Sequence, residues 1–484
     1  MFDSVTHPTT QYLILSDIHL GSDLVQHARP WTSERLTRVL QIDYDLSSML
    51  DHYRNHSEPG CSWTLIIAGD LVDFAGMSIV AAKDVELRTP LSPEEIEHGL
   101  GSAADHAVYK IRAVARRHAL VFRKLAQFIS AGHRLVLVRG NHDVDFYWEP
   151  VRRAFIDELL AHTDIDDDRE ARKRFESLVE FPQWFYYVKE QLYVEHGHQY
   201  DETCAHQTGL VPLSPLDPRR LAYSFSDILL RFIVRPTRGF TTEGHEKKTV
   251  VHYFRIAFSL GFIGCMRLFY RFLRAVVQMF RSWRAQLSER AQKIRTEQER
   301  TMQQIAQRFH ISIDKLRRMV SLWAKPVTAR VSSILRSVFL DVILSSLGLG
   351  LLLVLLLAFR LGPLWLIPIL AAVGVFAITL WIRRSRVFDP KDAIKESARR
   401  VSQLLPARFV VMGHTHQATM ESIGEGVTYI NLGNWSNDIL DDAAPKAPCS
   451  HLIIRRVKGE LKAEFVSLWP RRPQKNEIVS PTNG

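Results

Sequence analysis

Cysteine is scarce: four in 484 residues, at Cys61, Cys204, Cys265 and Cys449, with no C-x-x-C pair. That excludes a disulfide-stapled scaffold and a thiolate zinc site, and it suits a reducing compartment. The opening stretch MFDSVTHPTT has no basic start and no apolar run, so no cleaved signal peptide is expected. Internal repeats and low-complexity tracts are missing as well. With 46% hydrophobic and 24% charged residues, the chain is neither disordered nor collagen-like. Acidic residues are rare in one segment only. Residues 251–340 carry 17 Arg and Lys against 4 Asp and Glu, a local +13 within a total of +10. The rest of the chain is therefore close to neutral, and the basic character belongs to that segment.

What is present includes two long uncharged runs. Residues 342–359 and 361–382 contain no charge, and only Arg360, followed by Gly362-Pro363, separates them. About 20 apolar residues suffice for a helix to cross a bilayer core of ~30 Å. The pattern predicts a transmembrane hairpin at 341–383. Arg330, Arg336, Arg383, Arg384 and Arg386 flank it, so an integral membrane protein is expected with both ends and the catalytic part in the cytoplasm, in the inner membrane if the source is bacterial. The preceding segment mixes Arg with Phe, Leu and Trp, as in FSLGFIGCMRLFYRFLRAVVQMFRSW. It reads as basic helices attracted to anionic lipid, or else as a solvated helical hairpin.

The flanking parts read as short β runs alternating with helical patterns at 33–53 and 103–130, an α/β layered organisation. A hairpin is expected at 450–457 and 461–468. Five β runs end in residues of metal-ligand type: Ser16-Asp17-Ile18-His19, Gly69-Asp70-Leu71-Val72-Asp73, Gly140-Asn141-His142-Asp143, Glu195-His196-Gly197-His198 and Gly413-His414-Thr415-His416. Strand C-termini are where open α/β sheets build sites. Carboxylate and amide oxygens with imidazole nitrogens suit Mn, Fe or Zn.

In order and spacing these D-x-H, G-D-x-x-D, G-N-H-D, H-G-H and G-H-x-H segments resemble the calcineurin-like metallophosphoesterases. The resemblance covers about residues 11–200 and 407–469 and implies a four-layer αββα sandwich, here interrupted by a helical, membrane-inserted insertion. It implies two divalent ions, most simply Mn, with Asp17, His19 and His416 on the first, Asn141, His196 and His414 on the second, and Asp70 bridging. Ions of that kind clamp the phosphoester oxygens and acidify a bridging water that attacks phosphorus. His142 would contact the phosphate and protonate the leaving oxygen, with Asp143 orienting it. Asp73 and His198 are open between supporting the site and ordinary packing. The Y-x-N-x-G-x-W run from Tyr429 to Trp435 also matches and is expected to be structural.

The expected organisation is a core in two parts, 11–204 and 400–469, a basic helical cap at 205–340, the hairpin at 341–383 and a disordered tail at 470–484. About 215 residues separate the fourth and fifth motifs, and they return the catalytic sheet to a membrane. A lipid-linked phosphoester or diphosphate is the expected substrate. SDIHLG, GDLVDF and GHTH are similar to the motifs of UDP-2,3-diacylglucosamine pyrophosphatases, although those commonly carry Arg at the position of His142. A nuclease or nucleotide phosphodiesterase, with nucleic acid as partner, and a non-catalytic membrane scaffold are the alternatives.

Overall fold

The computed structural model describes residues 9–25, 33–56, 60–82, 84–165, 168–237, 250–338, 340–358, 366–385, 390–436 and 447–469. The tail from 470, Arg360, Gly362-Pro363 and Arg386 lie outside these residues.

Strands β1 (Thr9–Leu15), β2 (Cys61–Ala68), β3 (Arg134–Val138), β4 (Val179–Glu180), β5 (Tyr186–Val188), β6 (Leu192–Val194), β7 (Phe409–Met412), β8 (Thr419–Gly424), β9 (Val427–Asn431), β10 (His451–Val457) and β11 (Glu460–Val466) form two sheets. The first has the order β11-β10-β1-β2-β3-β4, the second β5-β6-β7-β9-β8. β1 to β4 run parallel, and β10 joins β1 antiparallel, with Leu13 opposite Ile453. In the second sheet β6, β7 and β9 run parallel. The chain thus combines helices with two sheets as the phosphoesterase resemblance implies.

Strand alternation explains the layering. Leu13 and Leu15 point to one face of β1, Tyr12 and Ile14 to the other. The first pair joins a core with α1 (Ser33–Asn55) and the helices that follow α2 (Pro93–His98): α3 (Ala104–Arg117), α4 (Ala119–Ser130) and α5 (Glu149–Leu160). The second pair packs between the sheets against Val194, Val411 and Ile430. The helical pattern at 103–130 is broken at His118, whose Nδ1 meets Asp43 Oδ1 at 2.7 Å while its Nε2 accepts from Gly21 N.

The remaining helices are α6 (Arg169–Ser177), α7 (Phe225–Leu229), α8 (Val250–Ala285), α9 (Glu289–Phe309), α10 (Ile313–Ser321), α11 (Val331–Ser337), α12 (Leu340–Ala358), α13 (Leu366–Ser385) and α14 (Lys391–Leu404). The insertion is not one uniform membrane-facing element. α9 and α10 bury Ile294, Met302, Ile305, Leu316 and Met319 with α14 on the outer face of the second sheet. Their basic residues are the solvated side of a packed stripe. α7 and the turn after it, α8 and α11 form a separate cluster around Phe232, Met279 and Ile334. α8 breaks at Gly261 (φ 63°) and leaves Phe262, Ile263, Met266, Phe269 and Tyr270 more than half exposed.

α12 and α13 pack together, Leu349 filling the space where Gly374 has no side chain. Among the described residues no helix is long and apolar enough to cross a membrane. The transmembrane hairpin expected at 341–383 is therefore not shown.

Candidate metal centre

The five motif loops leave the ends of β1, β2, β3, β6 and β7 and converge on one edge of the paired sheets. Asp17, His19, Asp70, His414 and His416 all have positive φ, between 54° and 72°. Left-handed backbone costs a non-glycine residue about 1–2 kcal/mol. Five such residues in one place mean that the surrounding fold forces the side chains inward. The motif glycines are there for room: a side chain at Gly69 would overlap the His196 ring, and one at Gly140 would overlap Asp70 Oδ1.

Two groups of ligand atoms meet at Asp70. On one side, His416 Nε2 stands 3.0 Å from Asp17 Oδ1 and 3.4 Å from His19 Nε2, which is 3.9 Å from Asp70 Oδ2. On the other, His196 Nε2 lies 3.2 Å from Asp70 Oδ2 and 3.1 Å from Asn141 Oδ1, with His414 Nδ1 3.0 Å from the same Asn141 oxygen. Donor atoms bound about 2.1 Å from one ion stand roughly 3 Å apart. Among the described residues the buried Asp17 Oδ1 has no well-aligned hydrogen bond, although His416 Nε2 is 3.0 Å away, as fits lone pairs aimed at a shared cation. The donor set therefore fits two divalent ions.

Tautomers are set from behind. His196 Nδ1–H donates to Ala68 O at 2.8 Å, which leaves Nε2 for an ion. His414 Nε2–H donates to Asp201 Oδ2 at 3.0 Å, which leaves Nδ1. Such partners fix ring orientation and raise ligand basicity. Asn431 Nδ2 donates to Gly413 O, and Trp435 N donates to Asp17 O, so the Tyr429–Trp435 region ties the first and last motif loops together.

His142 sits at the open side, its side chain 22% exposed, and its ring contacts that of His19 at 4.6 Å. Its Nδ1–H donates to Asp73 Oδ1 at 2.6 Å. Asp73, not Asp143, is therefore the carboxylate that orients it. Asp143 turns the other way and accepts from Gly140 N at 2.6 Å and Leu71 N at 2.9 Å, fastening two motif loops to each other. Burial disfavours charge on His142, but Asp73 and Asp70 outweigh it and push the imidazole up to about 9. Burial and the nearby Asp70 raise the Asp143 carboxyl. Burial acts the same way on Asp70, yet His196 and His142 hold it well below the carboxylate range.

His198 stays outside both ligand groups. It lines a small, half-open pocket of about 30 Å³ with Arg139, Glu195, His206 and Trp323, and burial with the neighbouring histidines lowers its basicity well below that of a free imidazole. The sequence reading missed Asp201 and Arg235, whose Nη2 is 3.0 Å from Asp73 Oδ2. Neither lies in a motif, and only the folded chain brings them in.

Residues 10–232 match the family model of calcineurin-like phosphoesterases. The match covers less than half of the chain and identifies this part as a calcineurin-like phosphoesterase domain, which implies metal-dependent hydrolysis of a phosphoric ester. No curated protein compared with the chain matches it.

Proposed function

We propose that the protein is a dinuclear phosphoesterase held at a membrane, hydrolysing a lipid-linked phosphoester or diphosphate. The observation that carries the reading is the meeting of two ligand groups at Asp70, with His142 at the open side. Asp17, His19, Asp70 and His416 would hold one ion, and Asp70, Asn141, His196 and His414 the other. Hard oxygen donors mixed with imidazole favour Mn. Bound there, the ions supply neutralisation of the phosphoryl oxygens and acidification of water.

The remaining chemistry belongs to the chain. His142 keeps Nδ1 on Asp73 and presents Nε2 as the proton donor for the departing oxygen. Asp70 stays ionised between the two groups of imidazoles. Asp17, His196 and Asn141 are buried, whereas His142 and His416 are partly exposed, so the site opens towards solvent beside these two rings.

The membrane part rests on exposed apolar surface. Leu347, Leu351, Val354, Val373, Val375 and Phe376 on α12 and α13 are each about 60% exposed or more, as are Phe262 and Ile263 on α8. Covering each such side chain is worth ~1.5–3 kcal/mol, so a chain leaving them in water forgoes a large stabilisation. In this reading a bilayer covers them, and the flanking arginines favour a cytoplasmic position for the catalytic sheets. Detergent-purified protein supplied with Mn²⁺ should hydrolyse bis-p-nitrophenyl phosphate, and membranes washed with alkaline carbonate should retain it. Release into the wash would remove the anchoring, and metal-loaded protein without turnover on any phosphoester would remove the enzyme.

A further inference from the structure

We propose that Arg235, supplied by the insertion, is a positioning residue for His142 acting through Asp73, so that the histidine is set only when the insertion is seated on the core. The inference rests on the phosphoesterase reading above.

Asp73 is buried, and both of its oxygens are engaged. Oδ1 accepts from His142 Nδ1 at 2.6 Å and from Gly76 N at 2.8 Å, while Oδ2 pairs with Arg235 Nη2 at 3.0 Å. The Arg235 side chain is only 6% exposed. Removing it leaves a buried carboxylate oxygen with no donor, a state that costs several kcal/mol unless the group turns or takes up a proton. Either response disturbs the oxygen that holds His142. Room for the guanidinium is built in: a side chain at Gly76 would overlap both Asp73 Oδ2 and Arg235 Nη2.

Arg235 is not held as a structural arginine is held. Among the described residues its Nε and Nη1 are buried without a partner. Four residues earlier Arg231 uses its guanidinium on Glu94 and on the carbonyls of Gly99 and Leu100. Arg231 fixes the backbone, and Arg235 delivers one bond to Asp73.

The delivery is tied to α8. Arg271 Nη1 donates to Pro236 O at 2.8 Å, and Arg274 pairs with Glu97 on α2. These arginines share a helix with the exposed Phe262, Met266 and Phe269. Whatever seats that apolar face sets the residue next to Arg235, and from there one ion pair and one hydrogen bond lead to His142. The coupling runs through contacts in the structure and needs no distant pathway.

The test compares wild type, R235A, R235K, H142A and the double variant H142A/R235A as full-length protein in detergent with Mn²⁺. Substrates are an aryl phosphoester with a good leaving group, p-nitrophenyl, and one with a poor leaving group, phenyl. R235A should lower kcat on the phenyl ester about 10–100-fold, the range for an outer partner of a site residue. The loss on the p-nitrophenyl ester should be smaller, KM should move little, and R235K should recover most of the rate. On the H142A background R235A should have no further effect. Equal losses on both esters, a change confined to KM, or losses that multiply in the double variant would overturn the proposal.

A readout free of turnover separates this idea from the enzyme assignment. With diamagnetic Zn²⁺ in place of Mn²⁺, the His142 Nδ1–H proton should give a downfield NMR signal in wild type that H142A lacks. R235A should move or broaden it, and R235K should keep it. An unchanged signal in R235A overturns the positioning role even where the esters are not turned over. If R235A does not fold, R235Q replaces it with the same expected and contrary results.

Discussion

Asp201 Oδ2 stands 3.0 Å from His414 Nε2, on the far side of the ring from Asn141. The carboxylate therefore decides which nitrogen of His414 faces the second ion site. D201A should weaken metal binding at that site by about 10–100-fold, and it should also lower the melting temperature of the metal-free protein, because Asp201 Oδ1 accepts from Thr203 N and Oγ1 at 2.8 Å. Competition with a chelator, read as metal retained per chain, checks this. Unchanged retention would mean that His414 is oriented by something else.

Asp143 gives a second test because its two oxygens bind backbone N–H groups of two motif loops. D143A should release the Gly140–Asn141 loop, so metal affinity and stability fall together by ~1–3 kcal/mol for each unpaired group. A variant with intact metal content and stability but lowered kcat would instead return Asp143 to the role of orienting His142.

The insertion docks on α2 through three acidic residues: Glu94 meets Arg231, Glu97 meets Arg274, and Glu95 Oε2 lies 2.6 Å from Arg220. Burial alone would raise the Glu95 carboxyl, but Arg220, His106 and the Ser92 N–H outweigh it and hold it well below the usual range. A carboxyl depressed in the folded state contributes stability that is fully present above its unfolded value, about 4.3, and lost as pH falls below that. Melting temperature should therefore drop between pH 5 and pH 3 more in wild type than in E95Q. E95Q should be less stable at pH 7 by about 1–3 kcal/mol, because the charge-assisted bonds of Glu95 to Arg220 are lost while Arg220 keeps Asp217 and Pro90 O. Parallel pH profiles for the two proteins would contradict the docking account.

Trp435 is fully buried, and its Nε1–H donates to Ser450 O at 2.7 Å while its backbone N–H donates to Asp17 O. W435A should cost about 3–5 kcal/mol in a denaturant titration, and W435F less, since the ring volume is mostly kept. A W435A protein as stable as wild type would show that this turn does not hold the first motif loop.

The motif residues were legible because each must follow a strand directly, and a strand end followed by Asp, His or Asn is a local pattern. Their convergence rests on strand order, which the resemblance supplied. Roles that depend on approach between distant loops were not legible. Asp73 is separated from His142 by 69 residues and meets it only because β2 and β3 lie side by side. Adjacency pointed to Asp143 instead. Arg235 lies in a segment whose composition suggests only a basic helix. The same composition hid the difference between α9, which buries an apolar stripe on the second sheet, and α8, which leaves one exposed. β4 and β5 escaped notice because two or three residues carry no periodic signal.

The central claim is that Asp70 serves two ions in one phosphoesterase site. The most direct measurement is bound Mn²⁺ per chain together with hydrolysis of bis-p-nitrophenyl phosphate, for wild type and D70A side by side. The account predicts two ions and metal-dependent turnover in wild type. D70A should bind fewer ions and lose turnover by at least about a hundredfold. Two ions bound and full turnover in D70A would contradict it.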